Sequence, residues 1–402
     1  MIKVIIIGHG IPEPQSTGAG VYMAQLIDLF LQGNYELHFC SAAEATAEGL
    51  LIEKNIPYTQ IQLNSDSFNA FIKALDPQIV VFDRFMTEEQ YSWRVREACP
   101  DALRILDTED LHFLREHRRT SNDPKPPATL SDLAKRELAA IFRSDLSLIL
   151  SKPEFDILTR AYQVPEAALL HLPFLEKYIP QHTELTAYED RKDFCFVGTA
   201  KHKPNVAAIK QLAKLWPSIS KRLPEAKMHI YGSYFTDELK QLHKPNTGFF
   251  VHGFVEDVQT MLKQHRVLLA PLEFGAGLKR KLFDAWLAGC AVVTTPVGIE
   301  GIGEADKLPF MVADDLETDF INLAVSNYAQ ESQWDQNCKE GLALIAEYFS
   351  WEQRASAVLE TIESYALNKE EYSAQNPVGQ MLWHQSLQSS KYLSKWIEAK
   401  NR

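Results

Sequence analysis

The feature that most constrains this chain is an alternation that runs through it twice: a short β-branched stretch, a glycine-bearing loop, then an amphipathic segment. Lys3–Ile7 is a continuous apolar run, as expected of a strand covered on both faces of a parallel sheet. A loop containing Gly8, Gly10, Gly18 and Gly20 follows, and then the amphipathic Val21–Leu31. Tyr35–Cys40, Gln78–Phe82, Ala102–Leu106 and Leu146–Leu150 repeat the strand pattern, with helical periodicity between several of them. A second series begins at Asp193, with Phe194–Val197, Lys227–Tyr231, Phe249–Val251, Val267–Ala270 and Ala291–Thr295 as strands. Helical periodicity returns in Asn205–Leu215 and Asp257–Gln264. The pattern predicts two consecutive α/β units with parallel sheets, joined near Leu172–Asp190. Ligands of such sheets gather beyond the carboxyl ends of the strands, beside helix N-termini, so a nucleotide site in a cleft between the halves is expected.

The 402 residues agree with two domains or more at about 150 residues each. A formal net charge of −12 argues against broad nucleic-acid binding, which needs a basic face to displace counterions. The five cysteines form no CxxC pair and read as reduced core thiols, which favours a cytoplasmic setting. The opening apolar run turns directly into glycines and lacks a cleavage pattern, so it reads as a first strand. No apolar stretch reaches the roughly 18 residues of a membrane span. TSNDPKPPAT at 120–129 has three prolines and reads as a surface loop, with Ser131 the N-cap of the following helix. Ser350 with Gln353 reads as a capping box. The last segment carries Tyr392, Leu393, Trp396 and Ile397 on one side, a stripe that reads as core packing.

The most informative chemistry lies in PLEFGAGLKRKLFDAWLAGCAVVTTPVGIEGI, Pro271–Ile302. Gly275 and Gly277 allow close backbone approach to a ligand, and the helix that follows points free N–H groups at it, which favours an anion. Lys279 and Lys281 stand where cations are normally unfavourable, and a diphosphate supplies the reason. Residues two apart on a helix point about 200° apart, so both lysines reach one ligand only if Lys279 precedes regular helix. Gly18 and Gly20, between strand and helix, are placed to cover donor phosphates. Gly8-His9-Gly10 is no dinucleotide fingerprint, because Glu13 takes the third glycine position. DTEDLH, 107–112, gathers Asp107, Glu109, Asp110 and His112 just after a strand, where such crowding is costly unless the groups bind something or one another. An N-cap network for the next helix is the alternative there. Among metal signals, no Asp-x-Asp and no His/Cys ligand spacing occurs, so no metal site is expected.

Pro271–Ile302 resembles the donor-binding signature of family 4 glycosyltransferases of the GT-B fold, in the branch with GAG-hydrophobic-K-x-K. FVGTAKHKPNVAAI (196–209), MHIYGSY (228–234) and VHGFVEDV (251–258) resemble further strand ends of that family. GAGV, FDRF and DTEDLHFLR resemble its first half more loosely. The resemblance implies two Rossmann-like domains: about 1–175 for the acceptor, with a final helix of about 377–402 packing back, and about 176–370 for the donor. It implies transfer of a hexose-type sugar from a nucleoside diphosphate sugar, the co-substrate, to a glycan, lipid-linked or protein acceptor, with retention and no other cofactor. It adds Gly198, Lys201, Gly232, Gly253, Phe254 and Leu278 to the donor contacts. It gives the ribose to Asp284 and the sugar to Glu109, Asp110 or His112. The family's first acidic residue is missing, for Ala276 stands eight positions before Asp284 and Glu273 is out of register. Relatives that act on lipid acceptors dock peripherally on the inner membrane face through the first domain. Here Arg115, Arg118, Arg119, Lys135, Arg136 and Arg143 flank the proline-rich loop and read as a solvated helix face. The rival expectations are a non-hydrolysing sugar-nucleotide epimerase and a non-catalytic nucleotide-binding subunit.

Overall fold

The computed structural model describes residues 2–44, 49–121 and 123–401, so Asn122 of the proline-rich run lies outside the described residues. The chain divides into two compact units. Unit 1 comprises Met1–Glu13, Ala19–Pro173 and Arg354–Arg402, and unit 2 comprises Pro14–Gly18 and Phe174–Gln353.

Unit 1 is built on a seven-stranded sheet of β1 (Lys3–Gly8), β2 (Glu36–Ser41), β3 (Tyr58–Gln60), β4 (Ile79–Asp83), β5 (Leu103–Asp107), β6 (Leu146–Ile149) and β7 (Leu169–His171). Its order is β3-β2-β1-β4-β5-β6-β7, and every pairing is parallel. The central strands β4 and β5 are buried along their whole length, β4 through the apolar run IVVF and β5 with its Arg104 held by Asp145. The edge strands β3 and β7 have three residues each and no apolar run, which is why the sequence pattern passes over them.

The chain's last segment belongs to unit 1 and is tied there by its side chains. Tyr35 Oη donates to Glu363 (3.1 Å), Tyr365 Oη to the Ala167 carbonyl (2.7 Å) and Trp383 Nε1 to the Arg143 carbonyl (2.7 Å). In helix Pro377–Asn401 the expected stripe is not the packed side: Tyr392, Leu393 and Trp396 are 64%, 58% and 60% exposed. The inward side carries Gly379 and Ser394 instead. Beneath it lies the guanidinium of Arg94, only 1% exposed, which needs acceptors and finds them at Asp66, Asn69 and Ser394. A buried cation thus turns the polar side of this helix inward.

Ser131 caps helix Asp132–Arg143 as expected, its hydroxyl accepting from the Ala134 N–H. Arg115 pairs with Asp110, Arg119 with Glu116, Lys135 with Asp132, Arg136 with Glu89 and Arg143 with Glu88, and because Arg118 and Arg143 are buried the six do not form one solvated face. Among the described residues no helix is long and apolar enough to cross a membrane.

Unit 2 holds a five-stranded parallel sheet: β8 (Lys192–Val197), β9 (Met228–Tyr231), β10 (Phe249–Gly253), β11 (His265–Ala270) and β12 (Ala291–Thr294) in the order β10-β9-β8-β11-β12. The helix Arg280–Leu287 after β11 is anchored at its far end by Arg191, which is fully buried. Its guanidinium donates to the carbonyls of Ala288 (2.6 Å), His265 (3.2 Å) and Leu262 (3.3 Å). A cation on the carbonyl end of a helix offsets the dipole and fixes where the opposite, N-terminal end points.

Candidate functional site

In unit 2 the strand order reverses between β8 and β11, and the loops after these two strands flank the switch point where ligands of such sheets bind. Gly198 follows β8 and Gly232 follows β9, and the two approach so closely that a Cβ on Gly232 would meet the Gly198 carbonyl at 2.0 Å. A Cβ on Gly198 would in turn strike the Asn205 side chain at 2.6 Å. These positions exclude side chains and leave bare backbone beside helix Lys203–Arg222.

The loop after β11 passes through Gly275 and Gly277, the latter left-handed at φ 63°, to Lys279, which stands just before helix Arg280–Leu287 with non-helical backbone. Lys279 therefore precedes regular helix, the condition under which both lysines can face one ligand. Its ammonium donates to the Gly277 carbonyl (2.6 Å) and lies 4.0 Å from Glu300. Lys281 is different. Its ammonium donates to Asn205 Oδ1 (2.6 Å) and sits 4.0 Å over the Phe196 ring, and among the described residues no carboxylate pairs with it. Burial pushes its pKa down to about 7. Leu278 is buried beside them.

Arg280, between the lysines, donates to Glu176 and to Asp284 Oδ1 (2.8 Å), and Gln259 also reaches that oxygen (3.4 Å). Asp284, the expected ribose contact, is thus held in an ion pair that the sequence reading did not foresee. Gly18 joins this neighbourhood, for a Cβ there would lie 3.3 Å from Arg280 Cβ, whereas Gly20 is buried inside helix Gly18–Gln32.

A cavity of about 380 Å³ opens beyond β9 and β10, lined by Gly232, Gly253, Ser233, Tyr234, Phe254 and Lys240 among others. Phe254 is 54% exposed there, and the Lys201 ammonium stands 3.6 Å over the Tyr234 ring, at the cavity's wall. The structure therefore gathers the expected glycines, Lys201, Phe254 and the lysine pair at the carboxyl ends of one sheet. Asn205, Arg280, Tyr234 and Lys240 were missed. KRK places Arg280 in plain view, but nothing in the sequence says that Asn205 meets Lys281.

Unit 1 has its own reversal, between β1 and β4, and carboxylates crowd around it. Asp83 and Asp107 are register partners at the ends of β4 and β5, and Glu109 follows with a left-handed backbone (φ 59°). One carboxylate oxygen from each of the three lies within 4.8 Å of the others. Burial, followed by the neighbouring carboxylates, raises both Asp107 and Glu109. Tyr22, whose hydroxyl donates to the Leu172 carbonyl, is pushed up by burial and then by Asp107 and Glu109.

The DTEDLH group thus splits. Asp110 pairs with Arg115, and His112 Nε2 is 3.5 Å from Asp110. Burial pushes His112 down to about 4, overriding Asp110. At the start of the next helix, His112–Ser121, Glu137 accepts from the N–H groups of His112 and Phe113, and Glu154 from that of Leu111. Asp83 and Asp107 were missed as site residues, although FDRF and DTED both place a carboxylate at a strand end.

Residues 191–328, most of unit 2, match the family model described as glycosyl transferases group 1. Sucrose-phosphate synthase from Thermosynechococcus elongatus superposes with a TM-score of 0.68 at 12% identity, covering 90% of this chain and 99% of that one. HepE of Anabaena, in complex with UDP and glucose, gives 0.66 at 14% identity, with 90% and 100% covered. The pneumococcal O-GlcNAc transferase GtfA, in complex with UDP and GlcNAc, gives 0.67 at 12% identity, with 91% and 99% covered. A protein described as an uncharacterized 44.6 kDa protein in the cps region of Klebsiella pneumoniae is 22% identical, over 78% of this chain and 88% of its own length. The fold is GT-B, and the match to the group 1 glycosyltransferase family lies within unit 2, over residues 191–328.

Proposed function

We propose that this glycosyltransferase moves a hexose-type sugar from a uridine diphosphate sugar to an acceptor hydroxyl, with retention and without a metal ion on the diphosphate. The observation that carries the reading is Lys281: a partly buried ammonium with an amide oxygen and a ring for company, at the switch point of a sheet whose loops expose bare backbone. Burying a lone ammonium is costly, and a diphosphate arriving there would supply the missing negative charge. Lys279 would share the load, stabilising the leaving group where water is excluded. The cavity beside Phe254 and Tyr234 suits the nucleoside. UDP in HepE and GtfA supports the base, and the cps region of the Klebsiella relative supports glycan or polysaccharide synthesis as the setting. Acceptor choice, cytoplasmic placement and peripheral membrane contact extend the same proposal.

Calorimetric titration of UDP against wild type and Lys281→Met tests it. A charge-assisted hydrogen bond of roughly 1.5–3 kcal/mol predicts at least a tenfold loss of affinity in the variant. Equal affinities would remove Lys281 from the site and the reading with it. Transfer from labelled UDP-hexose, with the anomeric configuration of the product read by NMR, tests retention.

A further inference from the structure

We propose that unit 1 binds one hard divalent cation, of the magnesium, manganese or calcium class, between the carboxylates of Asp83, Asp107 and Glu109. The three offer oxygens within 4.8 Å of one another, about twice a metal–oxygen distance of 2.0–2.6 Å, so one ion can touch all three. Crowded carboxylates alone would say little. The second observation is that the cluster's acceptors are not used up by the protein. Asp107 is 0% exposed and Asp83 7%, yet Asp107 Oδ2 and Asp83 Oδ1 have no hydrogen-bond donor among the described residues. Their other oxygens are engaged, Asp107 Oδ1 by the Glu109 N–H (3.1 Å) and Asp83 Oδ2 by the His9 N–H (2.9 Å). The carboxylates are therefore held in place while one oxygen of each is left for something else.

Arg84 does not fill that place. Its Nε is 3.5 Å from Asp83 Oδ1, beyond good hydrogen-bond geometry, and is itself without an acceptor. Once deprotonated, the three carboxylates set against one guanidinium leave two negative charges to be met, the charge of one divalent ion. The donor set contains oxygen only, with no histidine or cysteine, which selects hard cations over zinc or copper. Bound there, the ion would tie together the carboxyl ends of the adjacent strands β4 and β5. Through Asp83 and the His9 N–H it would also steady the loop after β1. This is a positioning role in unit 1, separate from the diphosphate chemistry proposed for unit 2.

Titration of free Mn²⁺, followed by electron paramagnetic resonance without nucleotide, tests the site. Wild type should take up one Mn²⁺ per chain, displaceable by Mg²⁺ or Ca²⁺. Asp107→Asn and Glu109→Gln should each weaken it at least tenfold, and Lys281→Met should bind as wild type does. If Asp107→Asn fails to fold, Glu109→Gln alone decides. No uptake up to about 1 mM, the weak end of protein calcium sites, overturns the proposal. Uptake unchanged in Glu109→Gln also overturns it, since the ion would then sit on other surface carboxylates. Neither result depends on UDP affinity, so this inference and the donor-site reading stand or fall separately.

Discussion

The two switch points of this molecule occupy equivalent places in their sheets and are furnished in opposite ways. Unit 2 furnishes its switch point with glycine backbone and ammonium groups, Gly198, Gly232, Lys279 and Lys281. Unit 1 offers carboxylates on bulky-residue backbone, Asp83, Asp107 and Glu109. The topology fixes where loops converge, and the residues in those loops decide the sign of the charge that is welcome.

The largest effect expected from this contrast is at the glycines. Gly232→Ala places a Cβ 2.0 Å from the Gly198 carbonyl, and the adjoining backbone is pinned by the Gly198 N–H to the Tyr231 carbonyl (3.0 Å). Overpacking of this kind costs typically 1–3 kcal/mol. The melting temperature should drop and UDP binding should be lost. Gly10→Ala, in the loop after β1, meets nothing within 4 Å and should leave both almost unchanged. Equal melting temperatures for the two variants would mean that the unit 2 loops are not tightly fitted.

A smaller effect is expected of Lys281 on stability. Its folded pKa of about 7 lies below the usual lysine value, so between these the unfolded chain holds a proton that the native chain does not. Stability then rises with pH across that window, and the buried charge is most costly at its lower end. Without ligand, Lys281→Met should melt higher than wild type near about pH 7, and the gap should shrink toward about pH 9.5. Saturating UDP should narrow or invert it, because only wild type gains the ion pair. A gap independent of pH would mean that the ammonium is solvated.

Much of the fold was legible because parallel strands buried on both faces must be apolar throughout, and KVIIIG or IVVFD has no other use. What escaped depends on contacts far apart in sequence. β3 and β7 have too few residues to show a pattern and exist because a neighbour pairs with them. Nothing in the spacing shows that Lys281 meets Asn205, 76 residues earlier in the chain. DTEDLH signalled a carboxylate problem, but its partner Asp83 arrives through strand register, which a single sequence does not display.

The tail gives the smallest predicted effect and the plainest contrast between pattern and packing. As core residues Tyr392, Leu393 and Trp396 would each be expensive to remove, about 3–5 kcal/mol for a buried Trp→Ala. At 60% exposure Trp396 has little to lose, and its contact with the Lys400 ammonium, 5.2 Å from the ring centroid, adds about 0.5–1 kcal/mol at most. Trp396→Ala should therefore shift stability by no more than about 1 kcal/mol. On the inward side of the same helix, Gly379→Ala would drive a Cβ to 2.1 Å from the Phe142 carbonyl, where backbone cannot yield cheaply. Chemical denaturation of both variants decides which side of the helix is packed. A large loss in Trp396→Ala with little in Gly379→Ala would reverse the assignment, returning the aromatic stripe to the core and turning Arg94 and Ser394 toward water.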